Sequence, residues 1–193
     1  MSPQRSNRSN LIEGTLRCLE RLPPERITAR AIAEESGANL ASIAYHFESK
    51  DNLVTEAVIE GLDRWLAEIA SRLGDLEQLE PAQRFRQAAH VIETTRRRHT
   101  GLAQNFVGAL ARAQHDERVR ELLADGFRRT RPRVAVLLGL GTDRTGEDAA
   151  GLVHSLFAGL LFQVLLDPEL AIDGARMERA QARLLRILPD RAS

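Results

Sequence analysis

The stretch ITARAIAEESGANLASIAYHFESKDNL, residues 27–53, decides the fold of this chain. It predicts two short helices joined by a glycine turn, followed at once by a third helix that begins at Lys50. Thr28 is a residue type that caps helix starts, and Gly37 can adopt the positive φ with which helices end. The segment therefore has the pattern of a helix-turn-helix that binds DNA.

The second helix of this unit is predicted to have one buried and one exposed face. Asn39 is expected to cap it, while Ile43 and Phe47, four residues apart, point into a three-helix core. The residues left facing outward are Ser42, Tyr45 and His46. A hydroxyl, a phenol and an imidazole on one face suit a recognition helix in a major groove, although an ordinary solvated face is the alternative.

The run YHFESKDNL, from Tyr45 to Leu53, resembles the signature that closes the DNA-binding domain of the TetR family of bacterial transcriptional regulators. The resemblance implies an all-α fold with a three-helix DNA-binding domain over residues 1–50 and a larger helical effector-binding and dimerisation domain over residues 51–193. One departure is Ala44, which occupies a slot where the family commonly has tyrosine. A contact expected of that tyrosine is then either lost or moved to Tyr45.

Two cations are the main candidates for DNA contacts. Arg30 matches a position where family members can reach a base edge, and Lys50 at a helix start could hold a phosphate together with free backbone N–H groups. The alternatives are a surface cation and a simple helix cap. The side chains predicted to bind DNA are Thr28, Arg30, Asn39, Ser42, Tyr45, His46 and Lys50.

The net charge of the chain does not by itself favour DNA binding. The formal net charge of the chain is zero, and residues 1–50 contain seven basic and six acidic side chains, a net charge of +1. Binding should therefore depend on the placement of a few cations rather than on a strongly basic domain. Arg5 and Arg8 could serve as an arm that reaches the DNA.

Helical patterns continue to the end of the chain, with no alternating strand pattern. A long helix is predicted from Lys50 to Leu73 and should act as the link between the two domains. After the loop 139–146, in which Thr145 is the expected N-cap, residues 149–166 contain no charged side chain. This segment is predicted to be a helix buried on nearly all sides, partly by a second subunit.

The effector is expected to be a largely apolar small molecule bound among the C-terminal helices. Plain core packing is the alternative for each aromatic residue. The predicted walls are Trp65, Phe85, Phe106, Phe157 and Phe162, and the predicted orienting groups are Asn105, His154 and Gln163.

As the family resemblance implies, the charge-free segment is expected to hold a dimer together; the alternative is that this helix is simply the core of one subunit. Leu152, Leu156, Leu160 and Val164 recur every four residues and could form one apolar seam against a symmetry mate. The small residues expected to let two backbones approach are Gly151, Ala158 and Gly159.

Several other classes of function are not supported. The single Cys18 cannot form an internal disulfide, the five histidines lack metal-ligand spacing, and no catalytic motif is present. We therefore expect a protein without enzymatic activity, cofactor or metal. The polar N-terminus has no apolar signal region, so a cytoplasmic location without a membrane partner is expected.

Together these patterns predict a homodimeric, ligand-responsive repressor that binds a palindromic DNA operator. By family resemblance, the effector would tilt the helix beginning at Lys50 and move the two recognition helices out of register with the DNA. Two alternatives remain open: a DNA-binding regulator without a small-molecule effector, and a helical interaction or carrier protein that does not use the motif.

Overall fold

The computed structural model describes residues 7–73, 79–172, 174–184 and 186 of the 193-residue chain. This described part consists of helices and their connections, so the all-α prediction is confirmed. Arg5, one of the two residues predicted to form a DNA-binding arm, lies outside it. The helices are α1 (Asn7–Arg21), α2 (Ala29–Ser36), α3 (Ala41–Phe47), α4 (Lys50–Leu73), α5 (Pro81–Thr95), α6 (Thr100–Arg112), α7 (Glu117–Leu138), α8 (Arg144–Leu166) and α9 (Gly174–Leu184).

The first three helices pack around a small core that also takes in the start of α4. Leu11 of α1, Ile32 of α2, Ile43 of α3 and Leu53 of α4 are each at most 4% exposed. Burying side chains of this size stabilises a fold by about 1.5–3 kcal/mol each. The core therefore fixes α2 and α3 relative to the first turns of α4.

The long helix α4 connects this core to a second one. Leu53 and Val58 belong to the first core, whereas Trp65, Ile69 and Leu73 belong to a cluster with α5, α7 and α8. The predicted bounds of α4 and its buried residues at every fourth position are confirmed. Because α4 contributes to both cores, the domain division at residue 50 stays a prediction.

The start of α8 differs from the sequence expectation. Asp143, not Thr145, is the N-cap: its Oδ1 accepts a hydrogen bond from the backbone N–H of Gly146 at 2.9 Å. The helix consequently begins at Arg144. The prediction failed because two capping residue types, Asp143 and Thr145, lie close together, and composition alone does not decide between them.

The prediction that α8 is buried on nearly all sides is wrong for the single chain. Only Gly146 and Ala150 are buried, and the side chain of Leu152 is 74% exposed. Of the described helices, α8 is the one long and apolar enough to cross a membrane by length and composition, and 6% of its most apolar stretch is buried. Length and composition alone do not separate a membrane span from a face covered by a protein.

The three small residues of α8 also have different surroundings. A Cβ on Gly159 would have open space, but a Cβ on Gly151 would lie 3.2 Å from the Arg131 side chain of the same chain. Ala158 faces inward and lines a cavity. Of the three, only Gly159 remains a candidate for close approach of a partner backbone.

Candidate functional site

The helix-turn-helix is held by local hydrogen bonds at the predicted positions. Thr28 Oγ1 accepts from the N–H of Ala31 at 3.1 Å, and Asn39 Oδ1 accepts from the N–H of Ala41 at 3.0 Å. Gly37 ends α2 with φ of +65°, a conformation that glycine adopts without steric cost. Thr28 therefore caps α2 as predicted, whereas the N-cap of α3 is Leu40, one residue after the predicted Asn39, and Asn39 supports the turn that leads into the helix. A DNA contact by Thr28 or Asn39 would add to this role.

The predicted recognition face of α3 is open to solvent. Tyr45 is 84% exposed, and its ring meets the half-buried His46 edge to face at 4.8 Å. Ser42 is half-buried, while Ile43 and Phe47 on the opposite face are buried. Arg30 on α2 is exposed and forms no ion pair with any described residue. Contact with DNA stays a prediction for all these side chains.

Lys50 begins α4 beside an acid. Its Nζ lies 2.9 Å from Oδ1 of Asp51, and both side chains are partly exposed. Exposed pairs of this kind contribute about 0–1 kcal/mol, so the ammonium remains available to a phosphate.

The connection between α3 and α4 contains an unusual turn. Glu48 has φ of +66° and ψ of −41°, and the N–H of Ser49 donates to the carbonyl of Phe47 at 2.7 Å. This is a γ-turn of the strained, positive-φ form. The buried side chain of Asn52 supports it, because its Nδ2 also donates to the Phe47 carbonyl, at 3.0 Å.

The positioning role of Asn52 was not predicted from the sequence. The signal was available, since Ser49 and Asn52 have the spacing of a helix N-cap and its N3 residue, and Ser49 Oγ accepts from the Asn52 N–H at 3.1 Å. Arg8, predicted as a DNA arm, instead lies over the Phe47 ring at 5.0 Å and pairs with Glu56. Both contacts brace the orientation of α3 against α4.

A second site is an apolar cavity of about 210 Å³ that is lined by α4, α5, α6, α7 and α8 and is partly open to solvent. Five of the eight predicted ligand-binding residues line it: Trp65, Phe106, His154, Phe157 and Phe162. Lining residues that the sequence analysis missed include Leu62, Leu66, Phe127, Thr130 and Leu161. Their apolar or small side chains resemble ordinary core residues, so residue type and spacing do not identify them as cavity-lining.

The structure places the other three predicted residues outside the cavity. Phe85 packs against the outer side of the wall, with its ring 5.5 Å from that of Phe157. Asn105 is buried, but its Nδ2 donates to the carbonyl of Gly101 at 2.9 Å within its own helix. Gln163 is exposed. Helical periodicity placed these residues near the cavity but could not resolve which neighbour faces inward.

The indole of Trp65 links the cavity to a polar cluster. Its Nε1 donates to Thr95 Oγ1 at 2.8 Å, and its ring stacks on His99 at 4.6 Å. His99 Nε2 lies 3.2 Å from Glu68 Oε2. Burial lowers the pKa of His99, and the hydrogen bond with Glu68 partly opposes this effect.

His154 is the unusual group of the cavity wall. Its Nδ1 is buried without a hydrogen-bond partner among the described residues. Burial lowers the pKa of this imidazole, and the positive charge of Arg131 lowers it further. The ring of Phe127 meets it edge to face at 5.9 Å.

Within the described residues, no group of three or more His, Cys, Asp or Glu side chains could hold a metal ion. Cys18 is buried, which raises the pKa of its thiol. Ser155 Oγ donates to the carbonyl of Gly151 at 3.0 Å and so does not pair with the adjacent His154. The candidate sites that match the sequence prediction are thus an exposed helical face and an apolar cavity.

Comparison with known proteins connects the N-terminal unit to a family. Residues 11–57 match the profile of the bacterial regulatory proteins of the tetR family. No curated protein matches the chain.

Solved structures match nearly the whole chain. A protein from Rhodococcus sp. RHA1 described as a transcriptional regulator is 15% identical with a TM-score of 0.72, covering 96% of this chain and 97% of its own. The multidrug binding protein EbrR, complexed with imidazole, is 24% identical with a TM-score of 0.65, covering 98% and 94%. A protein from Saccharomonospora viridis, described as a transcriptional regulator and solved with choline, is 21% identical with a TM-score of 0.57, covering 89% and 92%.

These similarities agree with the exposed recognition face, the capped helix-turn-helix and the YHFESKDNL signature. The matched family is one of bacterial regulatory proteins, and the match lies on the helix-turn-helix. Residues 11–57 belong to a unit that matches the DNA-binding domain of the TetR family, and the chain as a whole has the all-helical fold of solved structures described as transcriptional regulators.

Proposed function

We propose that the protein is a ligand-responsive repressor that binds a palindromic operator as a homodimer and leaves it when a small, largely apolar effector binds. The observation that carries this proposal is the apolar cavity, because α4 forms one of its walls and also begins at the DNA-binding unit. Operator binding and effector binding would therefore act on the same helix. A cytoplasmic location fits this role.

The geometry of α4 supports the coupling. Lys50 at its start and Trp65 in the cavity wall are fifteen residues apart, which corresponds to about 22 Å along a helix. The γ-turn at Glu48 and the bond from Asn52 to Phe47 tie the start of α4 to α3. A tilt of α4 would therefore move α3.

The effector must bind the two states with different affinities, since a ligand that binds both equally shifts nothing. An effector that wedges α4 away from α7 and α8 meets this requirement. EbrR is described as a multidrug binding protein and the Saccharomonospora viridis protein was solved with choline, which supports small-molecule binding in this fold.

The proposed dimer uses the exposed apolar side of α8. Leu152 is 74% and Leu156 39% exposed in the single chain, and Val136 on α7 adds a side chain that is 59% exposed. Exposed apolar side chains clustered on two packed helices are typical of an interaction surface. A two-fold axis through this surface would present two α3 helices to the two halves of a palindrome.

The test begins with selection of binding sites from random DNA, followed by anisotropy titrations of the selected operator with and without ethylbenzene. We expect selection of a palindrome, and we expect ethylbenzene to weaken its binding. Ala158→Val is the matched control, since the added methyl groups occupy the cavity and should reduce the ligand effect without touching α3.

The outcomes separate the alternatives. Operator binding that no cavity ligand changes would indicate a regulator without a small-molecule effector. Failure to enrich any DNA sequence would instead favour a helical carrier or interaction protein.

A further inference from the structure

We propose that the effector is an uncharged molecule of about eight to ten non-hydrogen atoms with one hydroxyl group, which hydrogen-bonds to the imidazole of His154. This inference rests on the proposed function and specifies the chemistry of its ligand. It follows from the size of the cavity, from the hydrogen bonds that its polar side chains already make, and from the lack of a charged side chain in its described lining that could pair with an ionic ligand.

The cavity is partly open, so its volume indicates how much of a ligand can be buried. A cavity of about 150 Å³ lined by apolar side chains binds benzene, which has six non-hydrogen atoms. The cavity here has a volume of about 210 Å³ and an apolar, aromatic lining. In proportion, it accommodates a ring with two to four further heavy atoms.

The hydrogen bonds already made by the polar side chains of the cavity lining indicate which of them can bind the ligand. Among the described lining residues, the side chains with nitrogen or oxygen atoms are Trp65, Thr130 and His154. Trp65 donates to Thr95, and the Thr130 hydroxyl donates to the carbonyl of Gly126 at 3.0 Å. The imidazole of His154 has no hydrogen-bond partner within the described part of the chain, and its Nδ1 is buried.

A buried polar atom without a partner costs about 1–3 kcal/mol, so a ligand that supplies the partner recovers much of this cost. A neutral imidazole has one nitrogen that donates and one that accepts, and a hydroxyl group can pair with either. A hydroxyl therefore fits whichever tautomer His154 adopts.

The uncharged lining of the cavity argues against a charged ligand. No described residue lining the cavity is Asp, Glu, Lys or Arg, so an ion would lose its hydration without an opposite charge in contact. Arg131, whose charge acts on His154 from outside the lining, further disfavours a cation. Burial keeps the pKa of His154 low, so the imidazole is neutral at neutral pH and offers no charge to a carboxylate.

The test compares 4-ethylphenol with 4-ethyltoluene, which has nearly the same shape but a methyl group in place of the hydroxyl. Trp65 is the single tryptophan of the chain and lines the cavity, so its fluorescence, excited beyond the phenol absorption, reports binding to the full-length protein. Dissociation constants are measured for the wild type, His154→Leu and Ala158→Val.

We expect both compounds to bind the wild type. His154→Leu should weaken 4-ethylphenol relative to 4-ethyltoluene by about five- to a hundred-fold, the range that corresponds to an unmade buried hydrogen bond. Ala158→Val should weaken both compounds alike, because it removes volume but no polar group. Circular dichroism confirms that each variant is folded.

Three results would overturn the proposal. One is an unchanged ratio of the two constants in His154→Leu, which leaves the cavity as an effector site but removes the role of His154. Another is tighter binding of choline or 4-ethylbenzoate than of 4-ethylphenol, which would show a charged ligand class. Binding of neither aromatic compound would overturn both this inference and the proposed effector site.

Discussion

Arg30 and Lys50 lie at the starts of α2 and α4, and the structure gives the two side chains different surroundings. Arg30 is exposed and has no ion pair within the described chain, so its planar guanidinium is free to pair with a guanine edge. Lys50 is a point charge beside Asp51, suited to a phosphate.

We expect the two alanine variants to differ in specificity. Arg30→Ala should cost about 1–3 kcal/mol on the selected operator and relax the preference at one base pair. Lys50→Ala should weaken all DNA sequences alike and lower the salt slope by about one. Anisotropy titrations on operator and random DNA at several salt concentrations measure both effects.

Arg97→Ala is the control, because Arg97 is an exposed cation in the turn between α5 and α6 with no ion pair among the described residues. It should leave both DNA affinities unchanged. An equal loss on operator and random DNA for Arg30→Ala would remove its role in reading a base.

Glu48 stores backbone strain between the recognition helix and α4. It is the one described residue other than glycine with a positive φ. Strain of this kind costs about 1–3 kcal/mol, and glycine would relieve it. We expect Glu48→Gly to be more stable than Glu48→Ala by about 1 kcal/mol in urea denaturation.

The comparison isolates the backbone, since both variants remove the same carboxylate. Both should therefore change DNA affinity in the same direction through loss of one negative charge. If Glu48→Ala proved as stable as Glu48→Gly, the turn would carry no strain.

At the scale of whole elements, α6 is a second connection between the DNA-binding unit and the cavity. Its Phe106 lines the cavity, and its first turn presses on α1. A Cβ added at Gly101 would lie 1.8 Å from the carbonyl oxygen of Leu19, so only glycine permits this approach. The contact holds α1 against the helix that carries Phe106.

Gly101→Ala should therefore force α6 away from α1. We expect a loss of about 1–3 kcal/mol of unfolding free energy, as for other overpacked sites. Gly108→Ala in the same helix is the matched control, because its Cβ would meet only the flexible Arg112 side chain, at 3.5 Å. It should gain about 0.5–1 kcal/mol from helix propensity. Thermal denaturation distinguishes the two, and equal midpoints would exclude the steric contact.

The sequence predicted the start or end of a helix well where a residue in or next to that turn determines it. Thr28 and Gly37 act as predicted, and Asn39 lies one residue before the N-cap of α3. The tight packing at Gly101 was not predictable, because it depends on Leu19, more than eighty residues away in the chain.

Prediction of the cavity-lining residues from the sequence is limited by tertiary packing in the same way. Trp65, Phe106 and His154 were identified by type and spacing, but Phe85 and Phe157 follow similar patterns and only Phe157 lines the cavity. Which of two neighbouring aromatic residues faces inward depends on the rotation of α5 and α8. That rotation is set by tertiary packing rather than by the helical period.

At the scale of the whole molecule, a weakly charged DNA-binding unit needs a second copy. Residues 1–50 have a net charge of only +1, and a single recognition helix contacts one half-site. Two copies on one palindrome double the phosphate and base contacts without any change in the unit itself. The exposed apolar side of α8 is the surface that would hold them together.

Leu152→Glu tests this arrangement more cleanly than a change at Leu156 or Leu160. Leu152 is 74% exposed in the single chain, whereas Leu156 is 39% exposed and Leu160 is half-buried, so a charge at Leu152 harms the protomer least. In the proposed dimer, the same carboxylate would be buried without a partner. Burying an unpaired polar group costs about 2–7 kcal/mol, so the dimer should be strongly destabilised. We therefore expect a folded monomer that binds the operator poorly.

Sedimentation measures the mass, circular dichroism the helical content and anisotropy the operator affinity. Val107→Glu is the control, since Val107 is a 41% exposed apolar residue on α6 and is not part of the proposed seam on α8. It should remain dimeric and bind the operator as the wild type does. An unfolded Leu152→Glu variant would mean that the residue supports the protomer. A wild-type protein that is monomeric at micromolar concentration yet binds one full palindrome tightly would contradict the dimer, because one protomer carries only one recognition helix.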